Sequence, residues 1–138
     1  MAAWKTNFKA NLDAVFVTTK IVLPWMMEAK NGAIVNIASV VGLKGVSYMS
    51  GYGAAKAGLI NFSRASAIEA APFVRVNCII PGAVETPATK RAIPSDEMME
   101  ATAQSIPLKR IAHADEIAHP IIFLLSVDAS FITGSSLI

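Results

Sequence analysis

Apolar positions, with Thr19 among them, recur at three- and four-residue steps through Trp4, Phe8, Leu12, Val15, Phe16, Thr19, Val22, Leu23 and Met26. That period predicts one long amphipathic helix over 4–26, with Pro24 bending its last turn and Asn31-Gly32 ending it. The next stretch, 33–38, is short, β-branched and apolar on both faces, as a buried parallel strand should be. Gly42, Gly45 and Gly51 then punctuate a loop. The period returns to that of a helix over 52–69, with Ala55, Leu59, Phe62 and Ala65 on its packed face. A second strand is predicted over 74–80, broken by Pro81-Gly82. Pro87, Pro94 and Met98-Met99 mark a mobile segment with one short helix beginning near Ser95, whose hydroxyl can cap it. A further helix carries Asp115 and Glu116 in its first turn and runs through Ile121, Ile122 and Leu125. Residues 135–138 open another strand. Strand and helix alternate, so the fold class is α/β: a partial doubly wound, Rossmann-like parallel sheet with helices on its faces.

Composition narrows the functional classes. A chain of 138 residues that is 54% hydrophobic is expected to form one packed domain, 1–138. The formal charge is +2, and Lys and Arg are scattered from Lys5 to Arg110 without a basic stripe, so no nucleic-acid partner is expected. The single Cys78 lies in an apolar run and reads as a buried structural thiol. No basic-then-apolar leader opens the sequence, and its longest uncharged apolar stretch, 21–27, is too short to span a bilayer. The expectation is a soluble cytoplasmic protein with no membrane partner.

Candidate chemistry centres on Tyr52-Gly53-Ala54-Ala55-Lys56, with Ser39 upstream. On a helix, Tyr52 and Lys56 are one turn apart and share a face. A phenol ionises near 10 and is a poor base at neutral pH, whereas an ammonium beside it favours the phenolate. Such a tyrosine can act as general acid and base at an alcohol or carbonyl oxygen. Ser39 leaves the carboxyl end of a strand, in the crevice where open α/β sheets bind ligands, and can hydrogen-bond the same oxygen.

Four segments occur in a telling order: Ile34-Val35-Asn36-Ile37-Ala38-Ser39, Tyr52-Gly53-Ala54-Ala55-Lys56-Ala57, Arg75-Val76-Asn77-Cys78-Ile79-Ile80-Pro81-Gly82 and Phe131-Ile132-Thr133-Gly134. Together they closely resemble the short-chain dehydrogenase/reductase family over nearly the whole chain. The resemblance implies an NAD(P)-dependent oxidoreductase interconverting secondary alcohols and ketones, with NAD or NADP as cofactor and a small-molecule substrate. Tyr52 matches the family's acid/base, Lys56 the lysine that tunes the tyrosine and binds the nicotinamide ribose, and Ser39 the serine that positions the substrate oxygen. Asn11 matches the helix asparagine that holds a relay water near the lysine. The turn Pro81-Gly82-Ala83-Val84-Glu85-Thr86 matches the one beside the nicotinamide, where Pro81 and Gly82 shape the turn and the Val84 backbone and Thr86 hydroxyl hold the carboxamide or the phosphates. The stretch 88–106, with Met98 and Met99, is expected to lie over the substrate and choose it. No catalytic metal is implied, and His113 and His119 are expected as capping or surface residues.

The sequence also departs from the family pattern. No Gly-x-x-x-Gly-x-Gly turn follows an opening strand, and neither an Asn-Asn-Ala-Gly segment nor a closing Asp-Gly-Gly segment occurs. The expectation is therefore the C-terminal half of such an enzyme, incomplete at both ends of the sheet. The alternative is a non-catalytic module, because the two long helices correspond to those through which the family builds homo-oligomers.

Overall fold

A computed structural model describes residues 1–138. The first helical stretch comprises α1 (Ala2–Phe8), a π-helical turn (Lys9–Asp13) and α2 (Ala14–Glu28). The expected single helix is thus widened for one turn, and it runs through Pro24 to end two residues beyond Met26. Strand β1 (Gly32–Ile37) is followed by a 3-10 turn (Val40–Gly42) and helix α3 (Ser50–Ala70). Strand β2 (Val74–Ile79) leads to α4 (Pro87–Ala92), α5 (Asp96–Ser105), α6 (Ala114–Leu125), a 3-10 turn (Val127–Ala129) and β3 (Ser136–Leu137).

The stretch after Pro81-Gly82 differs from expectation, carrying two helices where one was predicted. Ser95 does cap α5, accepting from the Met98 N–H at 3.2 Å. The extra helix, α4, starts from Thr86, which accepts from the Thr89 N–H, with Pro87 in its first turn. That signal was present in the sequence but was masked by reading Pro87 only as a breaker.

The three strands are parallel in the order β1-β2-β3. Side chains alternate across the sheet. From β2, Val74, Val76 and Cys78, with Ile80 just after it, face α2 and α3, packing with Leu59, Ile60, Ala67 and Ala70. On the other face Ile79 and Val35 meet Leu124 and Ile121 of α6. Helices therefore cover both faces, as in a doubly wound fold. Two buried asparagines interrupt the apolar strands, and each is satisfied. Asn36 donates to the Ser63 Oγ at 2.9 Å, while Asn77 donates to the Ile132 carbonyl and accepts from the Ser135 N–H. Arg75 reaches the carbonyls of Leu124 at 2.7 Å and Ser126 at 2.9 Å, closing the C-terminal end of α6. Cys78 is fully buried, as expected.

Helix α3 lies unusually close to two neighbours. A Cβ on Gly42 would stand 2.8 Å from the Ala57 nitrogen and the Lys56 carbonyl carbon, and one on Gly53 would stand 2.9 Å from the Val41 carbonyl oxygen. The 3-10 turn after Ser39 is thereby pressed onto the first turns of α3. On the other side, Leu12 of the π-helical turn packs against Gly58.

Two outcomes follow from this packing. Gly42→Ala is expected to cost about 1–3 kcal/mol, because the clash is with backbone that has no rotamer to yield. Gly45→Ala, where nothing lies within 4 Å, should stay within about 0.5 kcal/mol. Urea midpoints of the two variants test this, and equal midpoints would contradict the close approach.

At the start of α6, Glu116 receives two hydrogen bonds of 2.6 Å from Arg110 and one of 2.9 Å from the His113 N–H. The Arg110 bonds foremost, then the His113 amide, hold the Glu116 carboxyl at about 2 instead of the usual 4.5. A carboxylate with a depressed folded value stabilises above its unfolded value and loses that contribution as pH falls toward the folded one. Between pH 4.5 and about 2, wild-type Tm should fall more steeply than that of Glu116→Gln. Parallel melting curves for the two proteins would contradict the assignment.

Candidate active site

Tyr52 and Lys56 stand on consecutive turns of α3, half-buried on one face. The Lys56 ammonium lies 5.7 Å from the Tyr52 ring centroid, within the range of a cation–π contact. It also donates to the Ile37 carbonyl at 2.8 Å. Ile37 is the last residue of β1, and the chain turns at Ser39 two residues later. The buried Ser39 caps the 3-10 turn, its Oγ accepting from the Val41 N–H at 3.3 Å. The end of β1 and the start of α3 thus join Ser39, Tyr52 and Lys56 in one corner, clamped by the glycine contacts described above.

Burial pushes the Lys56 ammonium below its ordinary value, with the neighbouring Cys78 acting in the opposite direction. Burial likewise pushes the Cys78 thiol up, against its hydrogen bond with Ser63. The bond to Ile37 was not anticipated from sequence, because a lysine one turn after a tyrosine says nothing about which carbonyl it reaches. The Ala38 N–H turns toward β2 and donates to the Ile79 carbonyl at 2.8 Å. The preceding carbonyl, that of Ile37, therefore points to the opposite edge of the strand, where β1 has no neighbour.

Asn11 sits in the π-helical turn, a feature often found at functional positions. Its side chain donates back to the Asn7 carbonyl at 3.0 Å. The adjacent Leu12, packed on Gly58, brings this turn beside α3.

The second part of the site is the turn after β2. The Pro81 carbonyl accepts from the Val40 N–H at 3.0 Å, which ties this turn to the one after Ser39, and Gly82 is exposed, with open space where a Cβ would stand. Ala112 pairs with the turn as a one-residue parallel bridge: Glu85 N–H donates to the Ala112 carbonyl at 2.8 Å, and Ala112 N–H to the Ala83 carbonyl at 3.2 Å. This pairing turns the N–H and C=O of Val84 to the opposite edge. The Val84 N–H makes no hydrogen bond within the chain, while the Val84 carbonyl accepts from the Thr89 hydroxyl at 2.6 Å.

Thr86 and Thr89 lie 3.0 Å apart at their hydroxyls. Thr86 also accepts from the Thr89 N–H at 3.2 Å. Thr89 was not singled out from sequence, because its hydrogen bonds depend on rotamers that the local pattern does not reveal. Glu85 pairs with Lys90 of α4 at 3.0 Å and lies 3.5 Å from the His113 Nδ1 at the start of α6. His113 is the residue preceding α6, as expected of a capping histidine, and it is exposed.

The sequence matches, over residues 1–138, the family model described as enoyl-(acyl carrier protein) reductase. It is 39% identical over 132 residues to the 3-oxoacyl-(acyl-carrier-protein) reductase FabG of Thermotoga maritima, covering 95% of this chain and 53% of that protein. It is 42% identical over 135 residues to the Escherichia coli K12 protein of the same name, covering 97% and 54%. The chain thus spans about half the length of the curated relatives it matches. Among solved structures, levodione reductase superposes with a TM-score of 0.96 at 37% identity, covering 99% of this chain and 56% of that one. With a family model matching residues 1–138, relatives matched over nearly the whole chain and a solved reductase superposing on its sheet and helices, the chain belongs to the short-chain dehydrogenase/reductase family.

Proposed function

We propose that this chain supplies the proton-transferring and nicotinamide-facing part of an NAD(P)-dependent oxidoreductase that interconverts a ketone and a secondary alcohol. The observation that carries this reading is the corner in which the Lys56 ammonium lies 5.7 Å from the Tyr52 ring and is bonded to the strand end that leads into Ser39. A phenol with a cation beside it, near a serine hydroxyl, can donate a proton to a carbonyl oxygen and be stabilised as the phenolate left behind. Ser39 would orient that oxygen. The bound nicotinamide would supply or accept the hydride.

The residues present suit one end of such a cofactor. Val84 offers a free N–H and a carbonyl on the same edge, complementary to the two halves of a primary amide. By the family resemblance, Lys56 would bind the ribose hydroxyls and Asn11 would hold a bridging water between them. Pro81 and Gly82 leave the approach to Val84 open. No helix here begins on a glycine-rich turn of the kind that seats a diphosphate. The curated relatives are named for 3-oxoacyl reduction, so a 3-oxoacyl thioester is the first substrate to assay, and the α4–α5 stretch, 88–106, is the part that would choose among ketones.

A second reading is favoured by a separate observation. Phe16, Val17, Ile21 and Trp25 are exposed on α2, and Ile68 on α3, an apolar surface that in water drives association. The two readings are compatible if the enzyme is a homo-oligomer.

Joined to the remaining half of the Thermotoga relative, the chain should reduce a 3-oxoacyl thioester with a reduced nicotinamide cofactor. Tyr52→Phe should lower kcat by about 10² to 10⁴ while cofactor affinity changes only a few-fold. Retention of a tenth of the turnover would assign the proton to another group. Lys56→Ala should reduce both kcat and cofactor affinity and change the pH profile; an unchanged profile would remove its electrostatic role. For the second reading, light scattering should give a mass at least twice 14.6 kDa, lowered by Trp25→Asp. A monodisperse monomer would exclude it.

A further inference from the structure

We propose that Asn36 is a positioning residue: its hydrogen bond to Ser63 sets where α3 sits along β1, and with it where Tyr52 and Lys56 stand relative to Ser39. This rests on the proton-transfer reading above and adds to it a residue that acts only through others.

Asn36 interrupts an apolar strand and Ser63 an apolar helix face, and both are almost fully buried, at 7% and 2% exposure. A polar pair in such a place adds little to stability over apolar packing, but it adds direction. The donors are fixed. The Leu59 carbonyl can only accept, so the Ser63 hydroxyl gives its single hydrogen there at 2.7 Å, and its oxygen receives the Asn36 amide N–H at 2.9 Å. Tyr52, Lys56, Leu59 and Ser63 follow at helical steps of four, three and four, so Ser63 lies on the stripe of α3 that carries the reacting pair. On the strand, Asn36 directly precedes Ile37, whose carbonyl holds Lys56 at 2.8 Å.

The glycine contacts do not settle this register alone. Gly42 and Gly53 set how near α3 comes to the turn after Ser39, but packing contact is non-directional and resists approach far more than sliding. A slip of one residue would carry Lys56 about 1.5 Å along the axis and turn it by about 100°. A hydrogen bond weakens steeply as its angle and length depart from the optimum, so the Asn36 bond opposes the motion that the glycines permit. It also lies further along α3 than they do, and the helix is thereby held at two levels. The position of a proton donor is a sensitive quantity, since a misplacement of about 1 Å can cost on the order of 10² in rate.

The test separates register from folding. Asn36→Val/Ser63→Ala replaces both partners by apolar groups and leaves no polar atom stranded, so its urea midpoint should stay near that of the wild type. Asn36→Val alone keeps Ser63 bonded to Leu59 and removes the same tie. In the whole chain, the Ile37 carbonyl carbon is followed by NMR with and without Lys56→Met. That replacement should shift the resonance in the wild type, where a charged donor leaves the oxygen, and should leave it in place in both variants. In the enzyme joined to the Thermotoga half, both variants should lose about tenfold to a hundredfold in kcat, with the substrate KM within about twofold. A folded variant with a wild-type Ile37 response or an unchanged kcat would overturn the proposal and leave the proton-transfer reading intact. Loss of the fold in both variants would make the pair a requirement of folding and overturn it too. Full turnover in Tyr52→Phe would defeat the proton-transfer reading alone, and the Ile37 resonance would still decide whether Asn36 sets the register.

Discussion

The geometry of the candidate site depends on how closely one helix can approach the backbone that follows the first strand. At Gly42 and Gly53 the approach is backbone to backbone, at separations that a single added carbon would violate. Everything argued about Ser39, Tyr52 and Lys56 follows from it. Ser39 leaves β1 and enters a turn that rests on the helix bearing the other two residues, so their relative positions are set by main-chain contact and not by long side chains. Main-chain contact has few alternative arrangements, and a site built this way keeps its geometry without a ligand to organise it.

The second part of the site is held differently. The turn of Ala83 to Thr86 is suspended between Ala112 on one side and α4 on the other, and the residues on either side of Ala112 are anchored by charges. Arg110 grips Glu116, Glu116 caps His113, and His113 together with Lys90 faces Glu85 in the turn itself. Such exposed pairs are individually weak and are screened by salt. A rigid corner carrying the proton-transferring groups therefore faces a softer turn carrying the amide-facing ones, which suits a site that must admit and release a ligand.

How much of this was legible in the sequence can be judged element by element. The strands and α3 were readable because hydrophobic period is a direct consequence of burial, and Val74, Val76, Cys78 and Ile80 do face the helices in strict alternation. The pairing of Tyr52 with Lys56 was readable because four residues make one helical turn. The π-helical turn at Asn11 was not, since a single widened turn barely disturbs the spacing of apolar positions. Helix α4 was missed because proline is equally at home in a first helical turn and in a loop, and only the Thr86 cap before it decides. The hydroxyl chain of Thr86 and Thr89 depends on rotamers and on one bridge to Ala112, a residue more than twenty positions away, and local pattern carries no information about either.

The lysine that gives the corner its charge also guards the margin of the sheet. Its bond to Ile37 occupies the last outward carbonyl of β1, the group that an incoming strand would need for its own amide. A lysine at an unpaired strand is a common device against unwanted pairing, but here the same ammonium stands beside Tyr52. A strand that extends the sheet on that side would compete with it for this carbonyl or share the oxygen's second lone pair, and burial already makes its charge costly to keep. Sheet extension and the charge of Lys56 thus meet at one carbonyl, and any shift that one imposes on the other is reciprocal. Completing the sheet would be read directly by the group that holds the charge at the site.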